Sequence, residues 1–276
     1  MGHPFFNQVN GPIFLAIILL TGVCALIGWR QASIKNLVYN FLWPLVVALT
    51  LGIALFLLGV REWPALISFP VCSFVLFTIL SEWFRGTRAR HRIRAENYLR
   101  AFLGLIGANR PRYGGYIVHI GIIILAMGVV GSSLYAVETE ETLIPGESIV
   151  INDYTLTYEN RDSYLTQSKQ VDTTTLSVYK QGKLVGELIP EKYFHRSYEQ
   201  AVSEVAIRYT LLEDLYVILL GSDEDGTASF KVLVNPLVSW IWFGGGVLML
   251  GGLITFWPDR RKPPAPRQNK ARRIQK

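Results

Sequence analysis

Of the four histidines and two cysteines in this 276-residue chain, one sits where water cannot serve it. The stretch RYGGYIVHIGIIILAMGVVGSS (112–133) reads as a membrane-spanning helix, and His119 lies seven residues in from its basic end. An ionisable side chain at that depth faces a bundle interior, a cavity or a cofactor. At helical spacing its neighbours on the same face are Gly115, Tyr116, Ile122, Ile123 and Ala126, and Gly121 removes another side chain nearby. Small residues beside an imidazole leave room for a flat group or for another backbone. Three readings stand on the residues alone. The ring is hydrogen-bonded to a Ser, a Thr or a carbonyl of another helix; or it is an axial ligand, a task neutral imidazole performs well at haem iron; or it belongs to a proton or ion pathway.

The other candidates carry less. His3 is near the terminus, His91 lies in a basic segment, and His195 falls at the end of a predicted strand; all three read as surface residues. Cys24 and Cys72 lie in different apolar runs without CxxC spacing and read as small packing residues. No P-loop, dinucleotide fingerprint, HExxH, GxSxG or CxxCH occurs, and no pair of carboxylates lies within an apolar run. Glu82 reads as the end of a helix. The glycine-rich GGGVLMLGG (244–252) lies inside an apolar run, where glycine permits close helix packing. The chain shows no self-contained hydrolytic or phosphoryl-transfer site.

The elements that position His119 follow from hydropathy and charge. Half of the residues are hydrophobic, and they are clustered in five runs long enough to cross a bilayer: 11–29, 41–60, 63–83, 114–135 and 237–257. The first lacks a preceding Lys or Arg and a small-residue cleavage site, so it reads as a span rather than a signal peptide. Residues 84–112 carry Arg85, Arg88, Arg90, Arg92, Arg94, Arg100, Arg110 and Arg112, and the tail after Trp257 carries eight more basic residues. Residues 136–235 carry 8 basic and 17 acidic residues, a net −9. Five spans with the N-terminus outside place every basic segment on one side, which the positive-inside rule makes cytoplasmic. The net charge of +6 then reads as topogenic and lipid-facing, not as a nucleic-acid footprint. All seven tryptophans fall near predicted interfaces.

The resulting organisation is an integral membrane α-helical bundle of five transmembrane helices, with a small extracytoplasmic all-β domain inserted between helices four and five. Residues 1–135 form a four-helix membrane region that includes the basic cytoplasmic amphipathic segment 84–112, with an amphipathic helix predicted over 88–107. Residues 136–235 form the β-domain, 236–257 the fifth helix, and 258–276 a basic cytoplasmic tail. Strands are predicted at 155–160, 174–180, 183–189, 204–210, 215–220 and 229–234, punctuated by Pro145-Gly146, Asn152-Asp153, Gln181-Gly182 and Asp225-Gly226. A sandwich or partly open barrel is expected, without a disulfide.

Several stretches, in order along nearly the whole chain, carry a resemblance. They are PFFNQVNGP before the first span, RYGGYIVHIGI at the fourth, SLYAVETEETLIPGESIVINDYTLTYEN leading into the β-domain, PEKYF (190–194), LEDLYV (212–217) and NPLVSWIWFGGGVLMLGG (235–252). The chain resembles the C-terminal part of CcmF, the haem lyase family of cytochrome c maturation. The resemblance implies transfer of haem from a membrane-tethered chaperone, CcmE, to the CxxCH cysteines of apocytochrome c outside the cytoplasmic membrane. A CcmH-type thioredoxin-like, apocytochrome-presenting subunit is an implied partner, beside membrane lipid. The resemblance also implies a haem b in the membrane with two helix histidines as ligands. His119 matches one of them, so its implied partner is iron. Gly115 and, at the basic end of the same helix, Arg112 are then expected beside the haem, Arg112 (like Arg110) at its propionates; positive-inside anchoring is the plain alternative for both arginines.

Two family features have no match. The tryptophan-rich WWD segment that handles the incoming haem is absent, since WIWFGG is a belt segment, and no other span contains a second histidine. The family often has Arg before the Asp of its DLY motif, where this chain has Glu213. The expectation is a haem-lyase component that is not catalytic alone, either one subunit of a split protein that acts with a separate N-terminal, WWD-bearing subunit or a fragment of a longer one. A membrane-tethered docking module without its own cofactor is the alternative, and it is told apart by whether haem content depends on His119.

Overall fold

The computed structural model describes residues 3–26, 34–166, 168–195 and 200–258. Trp29, Arg30 and the basic tail from 259 onward lie outside the described residues. The described residues form six helices: α1 (His3–Leu26), α2 (Ile34–Leu57), α3 (Trp63–Arg94), α4 (Tyr98–Ala108), α5 (Arg110–Tyr135) and α6 (Val238–Phe256). Four of them, α2, α3, α5 and α6, are long and apolar enough to cross a membrane; the described apolar stretch of α1, Gln8–Cys24, is shorter than these four. Pro64 occupies the first turn of α3, where its missing N–H leaves no bond unmade.

The basic segment is arranged differently from its expectation. The third span does not end at Trp83. Nothing in FRGTRARHRIR breaks a helix, and α3 runs on to Arg94, which puts Glu82 well inside it. The helix stops at Ala95, a left-handed C-cap with φ 50°. Glu96 secures the stop by pairing with Arg90 at 3.1 Å and accepting from the His91 ring through its carbonyl. His91 also stacks on Tyr98 at 4.1 Å, so it is a corner residue and not a solvated one. The helix predicted over 88–107 is therefore split. Its basic half extends α3, and its apolar half is α4, folded back so that Phe102 meets Trp83 edge-on and Leu105 packs at Gly86.

Helices α5 and α6 approach backbone to backbone. Gly114, Gly121 and Gly128 recur every seven residues and share a face. A methyl group at Gly121 would lie 2.5 Å from the Leu248 nitrogen, one at Gly244 2.6 Å from the Leu125 nitrogen, and one at Gly251 2.5 Å from the Val118 nitrogen. Only hydrogen fits at such a seam.

The β-domain grows directly out of this pair. Ala136 alone separates α5 from β1 (Val137–Leu143), and Leu237 alone separates β10 (Ala228–Pro236) from α6. β1 and β10 pair antiparallel, Val137 opposite Val234, so the helix pair continues as a strand pair. β8 (Ala206–Arg208) and β9 (Glu213–Ser222) complete the order β1-β10-β9-β8. The second sheet runs β2-β3-β4-β6-β7, with β5 also on β4: β2 (Ser148–Ile151), β3 (Tyr154–Leu165), β4 (Lys169–Lys180), β5 (Lys183–Leu188), β6 (Glu191–His195) and β7 (Gln200–Glu204). The strand predicted at 204–210 is broken, since β7 and β8 belong to different sheets. Ile149, Leu156, Tyr158, Leu176, Val178, Leu215, Val217, Phe230 and Val232 fill the space between the sheets, a sandwich core. Tyr158 meets Phe230 at 5.2 Å and donates its hydroxyl to the Gly226 carbonyl at 3.0 Å.

Gly121→Ala is expected to destabilise the helix pair by about 1–3 kcal/mol, the usual range for overpacking. Gly245→Ala, one residue round α6 with open space at its Cβ position, is expected to be near neutral. Thermal unfolding of the two variants in mild detergent checks this.

Candidate functional site

Helix α5 presents two packed sides. One carries the glycine seam to α6. The other carries Tyr113, Tyr116, Ile120, Ile122, Ile123, Ala126 and Met127 into a core shared with α1, α2 and α3. His119 shares that second side at helical spacing, with Gly115 and Tyr116 one turn before it and Ile122, Ile123 and Ala126 after it. The ring is half-buried, and its Nδ1 is buried without a hydrogen-bond partner among the described residues. A buried polar atom left unpaired is costly, and a neutral imidazole has one N–H and one lone pair to satisfy. The two glycines near His119 have different neighbours. Gly121 is filled by the α6 backbone, whereas a Cβ at Gly115 would meet nothing within 4 Å among the described residues. Open space therefore lies one turn from the unpartnered ring.

Arg112 is already engaged. Its Nη2 pairs with Glu82 Oε2 of α3 at 2.9 Å, and its Nε donates to the Tyr116 hydroxyl at 3.1 Å. Glu82 also binds Arg85, which reaches Asn40 of α2. One carboxylate thus joins α3 to α5, with α2 reached through Arg85, at the basic end of the bundle. The sequence hint of Glu82 was its place as a lone acid between two apolar runs and an arginine cluster. Arg110 Nη1 donates to the Pro258 carbonyl at 3.0 Å and holds the start of α5 to the end of α6. The backbone of His195 pairs with Gln200 at the end of β6; its side chain lies outside the described residues.

At the other end, LEDLYV forms a clasp between sandwich and membrane. Asp214 is fully buried. Its Oδ1 accepts from the Thr210 N–H at 3.1 Å and from the Ser239 hydroxyl, in the first turn of α6, at 3.2 Å. Glu213 turns to the other sheet, where its Oε1 accepts from the Tyr154 hydroxyl at 3.0 Å and pairs with Lys180 of β4. The Glu213 carboxylate raises the Lys180 ammonium above its ordinary value, and burial raises the Tyr154 phenol.

Comparison with known proteins places these features. The family "CcmF C-terminal beta-sandwich" matches residues 134–236. CcmF of Pseudomonas fluorescens is 31% identical over 266 residues, which cover 95% of this chain and 38% of that protein. CcmF of Escherichia coli K12 is 26% identical over 282 residues, 97% of this chain and 40% of that one. A solved structure of cytochrome c haem lyase CcmF superposes with a TM-score of 0.75 at 27% identity, covering 93% of this chain and 41% of that one.

The chain is homologous to the C-terminal part of CcmF. It spans about two-fifths of the length of the CcmF proteins it matches. The likeness covers the helices as well as the sandwich, so the His119 helix and the clasp both lie within the CcmF-like region.

The clasp gives a pH dependence. Lys180 and Tyr154 both have folded-state values raised above the ordinary ones. Their contribution is complete below those ordinary values and is lost as pH rises through the raised ones. Stability of the β-domain is expected to fall on the alkaline side, through and above the lysine range. Lys180→Met is expected to flatten that fall, as read by thermal midpoints across pH.

Proposed function

We propose that this chain is the C-terminal component of a cytochrome c haem lyase, in which His119 provides one axial ligand to a haem b held among the membrane helices. The observation that carries the reading is the buried, unpartnered Nδ1 of His119 beside open space at Gly115. Such a ring has the donor chemistry of a haem ligand. The histidines of this chain would supply one ligand to such a haem. The remaining histidines stand at the start of α1, in the last turn of α3 and in β6, so the second ligand comes from the WWD-bearing half of the assembly, on a separate subunit or a longer chain. Bound haem b would supply one-electron chemistry that keeps the substrate haem iron reduced.

The chain's own residues then have distinct tasks. His119 binds and orients. Ile122 and Ala126 keep its surroundings dry. Arg112, held by Glu82 and Tyr116, presents positive charge at the basic end of the same helix, where propionates are best received. The acidic β-domain lies outside the cytoplasmic membrane, with the basic segments inside, and positions apocytochrome c, CcmE and the CcmH-type subunit. Thioether formation belongs to the whole assembly.

The test is an absorption measurement on the chain purified in mild detergent with its partners. Oxidised and dithionite-reduced spectra and a pyridine haemochrome are recorded for wild type, His119→Ala and Arg112→Gln. A b-type spectrum in wild type is expected to be lost or shifted in His119→Ala, and haem retention to be lowered in Arg112→Gln. An unchanged spectrum in His119→Ala, or haem-free wild type with its partner present, assigns His119 to packing and the chain to a docking module without a cofactor.

A further inference from the structure

The clasp leaves one loop unaccounted for. Between β8 and β9 the chain runs Tyr209-Thr210-Leu211-Leu212. Leu211 is 80% exposed, Leu212 70% and Tyr209 66%. A loop in water is ordinarily built from polar and small residues. Three large apolar side chains in four positions are the opposite.

The loop is not loose. The Trp240 indole donates to the Leu211 carbonyl at 2.8 Å, and the Leu237 N–H donates to the Leu212 carbonyl at 2.8 Å. Thr210 is bound through its N–H to Asp214 and, through its hydroxyl, by the Glu213 N–H at 3.1 Å. The charges on either side are used within the domain. Arg208 donates to the Val185 carbonyl at 2.6 Å, and Glu213 pairs with Lys180. What remains at the tip is a rigid apolar surface.

Its level is set by α6. Both tethering donors, Leu237 and Trp240, belong to the first turn of that helix or its cap. Nineteen residues at the α-helical rise make α6 about 28 Å long. That is close to the roughly 30 Å of a bilayer's hydrocarbon core, so the first turn lies at its boundary. Trp242 and Phe243, both largely exposed, stand on the next positions of the same helix. We infer that the 209–212 loop is a membrane-contact element: Leu211 and Leu212 insert among acyl chains just below the headgroups, Tyr209 sits at the headgroup level, and the sandwich is thereby held against the bilayer by lipid as well as by its two helical stems. An amphipathic aromatic ring at that level and aliphatic tips below it are what an interface selects.

The experiment is a depth measurement on the full chain, with whatever partners co-purify, in phosphatidylcholine–phosphatidylglycerol liposomes. In a background of Cys24→Ser and Cys72→Ala, nitroxide labels are placed at Leu211→Cys, Leu212→Cys and, as an aqueous control, at Glu224→Cys on the turn at the far end of β9. Power saturation is read with oxygen and with a neutral nickel chelate. The expected result is an oxygen-to-nickel accessibility ratio several-fold higher at 211 and 212 than at 224. A ratio equal to the control places the loop in water and overturns the inference. Low accessibility to both reagents at both loop positions means a protein partner covers the loop, and that also overturns it. The two loop labels guard against one substitution disturbing the tether, because each carbonyl contact survives replacement of its own side chain.

Discussion

The backbone contact between α5 and α6 is the constraint from which the rest of the arrangement follows. Helices in lipid gain little from burying apolar surface against each other, so close van der Waals approach and backbone proximity must hold them. Glycine at 114, 121 and 128 against 244 and 251 supplies that approach. Once the two helices are fixed, their outer ends are fixed too, and β1 and β10 start in register because the helices that carry them already are. The first sheet is templated by a membrane contact, and the second closes on it through a sandwich core of tyrosine, phenylalanine and aliphatic residues. The seam also decides what His119 can face. With one side of α5 given to α6, the histidine stands on the side turned to the α1–α3 core, where its Nδ1 finds no hydrogen-bond partner among the described residues.

Each end of the bundle is then locked by one carboxylate. At the basic end Glu82 ties α3 to α5 through Arg112, and to α2 through Arg85. At the sandwich end Asp214 ties β9 to α6, and its neighbour Glu213 ties the first sheet to the second. The partly exposed ion pairs of Glu82 and Glu213 add little energy by themselves, and the buried Asp214 acts through hydrogen bonds. Their effect here is geometric. They remove the rotations and tilts that packing of smooth apolar faces leaves free, and they do so on both sides of His119.

Much of this was legible in the chain because lipid and alternation leave strong marks. The apolar runs stood out because backbone in hydrocarbon must satisfy its own hydrogen bonds. The β-domain stood out because β-branched and aromatic residues alternate between turn pairs such as Gln181-Gly182, where positive φ is demanded at both residues. His119 stood out as an imidazole in an aliphatic wall. What stayed hidden was set by partners distant in sequence. The end of α3 is decided at Ala95 and Glu96, not by a change in hydropathy at Trp83. Glu82 looks terminal until Arg112, thirty positions later, is beside it. Gly115 and Gly121 are alike in sequence, and only the path of α6 makes one a contact and the other an opening.

The corners between helices and strands are one residue long on each side, Ala136 and Leu237. Leu237 holds a left-handed conformation, φ 59°, that a leucine adopts at a cost of about 1–2 kcal/mol, and two backbone hydrogen bonds pin it there. Such joints have no slack. A tilt of the sandwich against the bundle is therefore carried into α5 and α6 together, and α5 is the helix that bears His119.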